Sequence, residues 1–233
     1  MITSHVIKKM ARQSGADLCG IAPLERFKDA PKGFRPSDIF KHARSVVVIA
    51  KRVPDSAFLS ENPVPYTFAC DVTLEAVNQM ICQLALNLQE KRVLAIPIPS
   101  EPYLHWDEKR CEGRGILSLK HAGYLAGLGV LGRNTLLTNE TLGNRITLGA
   151  LLLNIPLTGD PLPKYTLCSD VCRACIKACP AKALDGKTIV QKLCRKVSQV
   201  TTKKGYALYA CNRCRVICPG GNGAKQPKKP QKE

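Results

Sequence analysis

Over the first 155 residues the apolar positions switch between a helical and a strand period. Residues 2–14 are amphipathic at helical spacing and closed by Gly15, so they predict a helix, with a short strand following over 18–22. Residues 45–50 form a continuous β-branched run, the pattern of a strand buried on both faces. A second helix is expected from Asp71, as its N-cap, to Gln89, and then a strand over 92–98. Residues 99–114 are dense in charge, hold the only tryptophan, Trp106, and read as a surface loop or lid. A helix over 116–128 and strands over 135–137 and 145–153 complete the series. Residues 156–163 hold a glycine and three prolines and mark a domain boundary. The predicted architecture is an α/β N-terminal domain over 1–155, a mixed sheet with flanking helices, followed by a small module over 164–221. The tail, 222–233, is Gly, Pro, Lys and Gln with almost nothing apolar, and reads as a mobile basic extension.

A chain of 233 residues, 45% apolar, can bury the core of such a domain. No run approaches the roughly 18 apolar residues that a membrane span needs, and the N-terminus leads straight into the amphipathic pattern rather than into a signal-peptide stretch. The formal charge of +17 is unevenly placed: residues 187–233 carry twelve Lys or Arg against Glu233 alone. Such a surface suits an acidic redox partner, tRNA or an anionic cofactor, and charge does not choose among them.

Cysteine changes the picture most. Eight of the twelve fall in the last 66 residues, as Cys168, Cys172, Cys175, Cys179-Pro180 and then Cys194, Cys211, Cys214, Cys218-Pro219. Each run nearly repeats the bacterial ferredoxin pattern, in which three thiolates bind one [4Fe–4S] cluster and the fourth, before proline, crosses to the other. The crossing rule assigns Cys168, Cys172, Cys175 and Cys218 to cluster one and Cys179, Cys194, Cys211 and Cys214 to cluster two. Cys-x2-Cys pairs also hold zinc, but the two Cys-x3-Cys-Pro endings favour clusters. The short spacings argue against a secreted disulfide scaffold and for a reducing cytoplasm. Cys19, Cys70, Cys82 and Cys111 read as small hydrophobes.

Gly127-Leu-Gly-Val-Leu-Gly132 matches G-x-G-x-x-G, yet a helix pattern precedes it and a strand pattern follows, the reverse of a dinucleotide site. The segment is expected to end a helix in a tight turn. His121 reads as an ordinary helix histidine, whereas His105, beside Asp107, Glu108 and Glu112, is a proton-transfer candidate.

The segments Gly15-Ala-Asp-Leu-Cys-Gly-Ile-Ala-Pro23, Ala43-Arg-Ser-Val-Val-Val-Ile49 and Ala126-Gly-Leu-Gly-Val-Leu-Gly-Arg-Asn-Thr-Leu-Leu137, with the paired cysteine runs, resemble the epoxyqueuosine reductase family and its reductive dehalogenase relatives. The likeness covers most of residues 5–221. It implies an α/β domain that binds cobalamin against a ferredoxin-like two-cluster module, with electrons passing through the clusters to cobalt and then to substrate. It implies corrinoid contacts at Asn134 and Thr135. Where the family carries Arg-Asp-Tyr-His this chain has Cys70, Asp71, Val72 and Thr73, and the family's proton-donating aspartate falls at Gly113, so Asp107 and Glu112 are the carboxylates that could take its place. The leading expectation is an iron–sulfur reductase fed by a reduced ferredoxin or flavodoxin-type donor. The alternatives are an electron carrier or docking subunit without cobalamin, and a tRNA-binding reductase.

Overall fold

A computed structural model describes residues 2–101 and 105–223; the basic tail lies almost wholly outside the described residues. Helix α1 (Ser4–Gln13) starts at Thr3, whose hydroxyl accepts from Val6 N–H at 3.4 Å. It ends in a Schellman turn, in which Gly15 N–H donates to Arg12 O and Ala16 N–H to Ala11 O, with Gly15 at φ +97°. Strand β1 (Leu18–Pro23), the short helix α2 (Pro36–Ile39) and strand β2 (Ser45–Arg52) follow.

Helix α3 spans Pro63–Gln89 and is two turns longer at its start than the sequence pattern predicts. Asn62, not Asp71, caps it, accepting from Val64 N–H at 2.9 Å. Pro63 and Pro65 do not break the helix because its first-turn N–H groups have no intrahelical acceptor to lose. Strand β3 (Ala95–Ile98) comes next, then a hairpin of β4 (His105–Asp107) and β5 (Glu112–Arg114) inside the stretch expected to be a loop. Helix α4 (Leu119–Leu125) is shorter than the expected 116–128, because Gly127 takes φ +77° and closes a second Schellman turn, Gly127 N–H to Tyr124 O and Leu128 N–H to Gly123 O. The glycine-rich segment is therefore a helix C-terminus and a tight turn, as its context predicts. Strands β6 (Val130–Leu131) and β7 (Leu137–Thr138) form a small ribbon, and β8 (Ile146–Leu153) ends the series. Thr135, expected in a strand, sits instead in a turn at φ +64°.

The main sheet has the order β1-β2-β8-β3. Helix α3 carries the chain from β2 to β3, which run in the same direction, but β8 inserts between them and opposes both. Every pairing in this sheet is consequently antiparallel, where a mixed sheet is expected from the sequence. Val47, Ile49, Leu151 and Leu153 pack on one face against α1 and α3, including Ile7, Val77, Ile81 and Leu84. Val46, Val48, Ala150 and Leu152 pack on the other with Ala122, Ala126, Leu128 and Leu137. Burial on both faces accounts for the unbroken apolar run of β2. Gly149 lets α3 sit close, since a Cβ there would lie 2.6 Å from Val77 Cγ1.

Beyond β8 the chain returns along the edge of β1. Asp160 N–H donates to Ile21 O at 2.9 Å, its carboxylate accepts from Ile21 N–H at 2.9 Å and pairs with Lys8, and Arg26 donates to its carbonyl at 2.7 Å. The cysteine-rich residues then form helices α5 (Ala174–Lys177) and α6 (Gln191–Ser198), a hairpin of β9 (Gln199–Thr201) and β10 (Ala207–Tyr209), and helix α7 (Arg213–Val216). Helices α5 and α7 pack together, and β10 packs on α3, where Tyr209 N–H donates to Thr67 Oγ1 at 2.8 Å. Among the described residues no helix is long and apolar enough to cross a membrane.

Candidate metal centres and the cavity beside them

The fold brings Cys168, Cys172, Cys175 and Cys218 near one another, and Cys175, Cys194, Cys211 and Cys214 near one another. Cys175, buried in α5, has its thiol pushed up by burial, and the neighbouring thiols of Cys168 and Cys172 push the same way. Burial also raises Cys218, at the end of α7, which the Gly220 backbone N–H counters and which the thiols of Cys168, Cys175 and Cys172 reinforce. Cys214 is raised to about 11, first by burial, with Arg215 opposing and Cys194, Cys211 and Cys175 adding to the rise. Thus Cys218 lies among the thiols of the first run and Cys214 among those of the second. Cys179 accepts from Ala183 N–H at 3.3 Å, and Cys194 reaches Ser198 Oγ at 3.8 Å. Among the described residues, no three His, Cys, Asp or Glu side chains converge on a single-ion position.

Asn134 is buried, donating its amide to Cys214 O at 3.1 Å and accepting from Leu136 N–H at 3.2 Å. Thr135 is buried beside it, its N–H donating to Gly132 O at 2.8 Å. Both stand at the seam between the glycine-rich turn and the cysteine-rich residues.

Asp107 and Glu112 oppose each other across the β4–β5 hairpin. The hairpin is held on α6 by a reciprocal pair, Gly113 N–H to Gln191 Oε1 and Gln191 Nε2 to Gly113 O, both 3.0 Å, and by Arg195 over the Trp106 ring at 4.9 Å. Asp107 is exposed and accepts from Arg110 N–H at 3.0 Å. His105 is exposed against Phe34, and His121 pairs with Ser118 Oγ at 2.6 Å. Burial, with Lys120 beside it, holds His121 below the usual histidine range.

A cavity of about 340 Å³ opens where α3, β8, α4 and the cysteine-rich residues meet. Tyr66, Cys70, Lys120, Asn144, Tyr209 and Arg215 line it, with Leu136, Leu137 and Leu148 as apolar wall. Neither Asp107 nor Glu112 is in that lining. Asn144 is 1% exposed, and neither its amide nitrogen nor its oxygen has a hydrogen-bond partner. A buried amide left unpaired costs about 1–3 kcal/mol. Lys120 is held below the usual lysine range by burial, and no salt bridge reaches it or Arg215 among the described residues. Tyr66 and Cys70 are neighbours one turn apart on α3, and burial pushes both groups up. Tyr66 also has Arg215 and Cys214 for neighbours, so it bridges cavity wall and cysteine set. Sequence reasoning missed Tyr66, Lys120, Asn144 and Arg215 because they come from four separate segments that share no spacing; Cys70 was legible only as a lone cysteine.

A sheet covered by helices on both faces and joined to a cysteine-rich segment by buried polar contacts defines the class, and the comparisons make it specific. The chain is similar in sequence and in fold to the epoxyqueuosine reductases and, in fold, to the reductive dehalogenases. An epoxyqueuosine reductase from Listeria monocytogenes is 31% identical over 200 residues, covering 81% of this chain and 51% of that protein. A crystal structure of epoxyqueuosine reductase with an epoxyqueuosine-modified tRNA-Tyr stem loop superposes with a TM-score of 0.65 at 18% identity, over 94% of this chain and 65% of the other. A reductive dehalogenase, whose structure is described as suggesting a mechanism for B12-dependent dehalogenation, gives 0.66 at 20% identity, over 92% of this chain and 31% of the other. No family model matches the chain. The chain spans about half the length of the Listeria protein.

Proposed function

We propose that the chain is an iron–sulfur reductase with an electron-accepting site in the cavity beside Cys214. In this reading residues 164–221 form a ferredoxin-like module, Cys168, Cys172, Cys175 and Cys218 holding one [4Fe–4S] cluster and Cys179, Cys194, Cys211 and Cys214 the other, and residues 1–155 bind the acceptor. The observation that supports it best is the packing of α5, which carries Cys175, on α7, which Cys218 follows, an arrangement that suits the crossing of a two-cluster ferredoxin. Burial first, and neighbouring thiols after it, raise Cys175 and Cys214, so holding them as thiolates is work for the cationic iron–sulfur core they would bind.

When bound, the clusters supply one-electron transfer at potentials set by hydrogen bonding to sulfur, charge and exposure. The chain's own groups tune this: the N–H groups of Ala183 and Gly220 donate to Cys179 and Cys218 and favour the reduced state. Arg215 brings positive charge next to Cys214 and into the cavity lining, so the end nearest the acceptor is the more attractive to an electron.

A primary amide, the chemistry of a corrin's rim, would satisfy both orphaned Asn144 atoms once local opening of the cavity wall uncovers them. The cavity of about 340 Å³ takes an edge of so large a group rather than all of it. Cobalamin, when bound, would supply the metal that accepts the electrons and meets the substrate. Asn134, spent on Cys214 and Leu136, would then hold the loop rather than touch the corrinoid, with Thr135 beside it. The groups placed to give a proton are Tyr66 and Lys120 in the cavity lining, in preference to Asp107 and Glu112 on the hairpin.

The test is anaerobic reconstitution, iron and sulfide analysis, and spectral titration with cob(II)alamin and hydroxocobalamin. Near eight irons with a saturable corrinoid change is the expected result. Eight irons without a response would leave an electron carrier, and zinc in place of iron would overturn the proposal. The relative solved with a tRNA stem loop makes tRNA the first macromolecular substrate to assay.

A further inference from the structure

We propose that the surface over the cluster-one cysteines, between Val171 and Ile217, is the docking face for an acidic one-electron carrier protein. The inference rests on the reading that Cys168, Cys172, Cys175 and Cys218 hold a cluster, and adds where electrons enter. The two cysteine sets have opposite surroundings. Cys214 is roofed by the α/β domain, through Asn134 on its carbonyl and Tyr66 at its side. The first set faces outwards: Val171, between Cys168 and Cys172, is 86% exposed, and Val216 and Ile217, just before Cys218, are 37% and 48% exposed. Three apolar side chains left in water around one buried thiol set make a patch that is stabilised by being covered.

Charge selects the partner. Residues 164–223 carry twelve Lys or Arg and two acidic residues, Asp170 and Asp185. Asp185 is exposed, its carboxylate accepting from the Lys187 and Thr188 N–H groups and the Thr188 hydroxyl. Arg173, whose guanidinium donates to the carbonyls of Asp170 and Cys172, and Lys177 on α5 flank the apolar patch, and among the described residues no salt bridge neutralises either. An apolar centre with a cationic rim matches a protein whose redox centre is ringed by carboxylates, with the charges steering encounter and the apolar residues closing the contact. A nucleic acid is disfavoured here, since among the described residues the rings beside Cys168, Tyr124 and Tyr165, are half-buried, and the Tyr165 hydroxyl is taken up by Glu140 N–H. The reduced carrier would give up one electron to the first set and be oxidised by one, with no bond made or broken.

Flavodoxin, as an acidic probe, tests this against the reconstituted protein. Binding of oxidised flavodoxin, measured by calorimetry at low and high salt, and the rate of oxidation of reduced flavodoxin are the two readouts. The double variant Arg173→Glu/Lys177→Glu is expected to weaken binding and slow the rate about tenfold each, with iron content and reduction by dithionite unchanged. Lys203→Glu/Lys204→Glu, equal in charge but on the β9–β10 turn, should change both by less than about twofold. Val171→Ser should weaken binding without altering its salt dependence. Equal effects of the two double variants, no effect of either, or loss of tRNA binding in place of flavodoxin binding would overturn the proposal. Absence of iron in the unmodified protein would instead overturn the cluster reading, and flavodoxin binding would still report on the face.

Discussion

Asn134 donates its side-chain amide to the carbonyl of Cys214 at 3.1 Å, so the turn that follows the glycine-rich segment is fastened to the backbone of a candidate cluster ligand. Asn134→Ala removes that donor and the acceptor for Leu136 N–H together. With both groups buried, the loss should be about 1–3 kcal/mol, which at roughly 2–4 °C per kcal/mol for a chain of this size lowers the melting temperature by several degrees. Calorimetry checks it, and Asn134→Asp, which keeps the acceptor alone, should fall between the two.

The crossing assignment predicts that Cys218→Ser and Cys168→Ser lose the same cluster although they lie at opposite ends of the cysteine-rich residues. Each should retain about four irons of eight and the same electron paramagnetic resonance signal. Cys179→Ser should leave the other signal. Matching spectra from Cys218→Ser and Cys179→Ser would sink the crossing.

Asn144 is a buried amide with no hydrogen-bond partner inside the fold. Asn144→Leu replaces an unpaired buried amide by an apolar side chain of similar volume, and the ligand-free protein should gain about 1 kcal/mol. The same change should abolish any spectral response to cobalamin. A loss of stability would mean that the amide has a partner inside the fold.

Gly20 lies in β1, where a Cβ would overlap the Ala126 carbonyl and stand 2.8 Å from Leu128 Cδ2. Gly20→Ala should cost about 1–3 kcal/mol by pushing the end of α4 off the sheet. Denaturant titration would reveal it as a lower midpoint with an unchanged slope.

Cys19 has its thiol raised to about 12, chiefly by burial, from an ordinary value of 9.0. A raised folded value means that the fold favours the protonated thiol. Its contribution is complete below pH 9 and is lost as pH climbs from 9 towards 12, at about 1.4 kcal/mol per unit. Cys19→Ala should therefore flatten the alkaline fall in stability over that window by one proton's worth, while leaving the profile near neutrality unchanged.

Local physics was readable along the chain. A β-branched run such as Val46–Val47–Val48–Ile49 has to be covered on both sides, and a glycine after an amphipathic turn closes a helix through its own backbone, at Gly15 and again at Gly127. The start of α3 escaped because Pro63 and Pro65 look like breakers until Asn62 is seen capping the first turn. The antiparallel sheet escaped because the partner of a strand is chosen by the whole core, and β8 arrives from far along the chain to part β2 from β3.

The same division holds for the candidate site. Cysteine spacing alone marked the eight clustered thiols as candidate cluster ligands, since two short runs that each end in Cys-x3-Cys-Pro follow the ferredoxin pattern. Only the tertiary structure decided what stands at each end of the cysteine-rich residues. It gathered Tyr66, Lys120 and Arg215 from three helices and Asn144 from a turn around one cavity, and left Val171 and Ile217 facing water. Long-range packing made that choice, and it leaves no period or motif in the sequence.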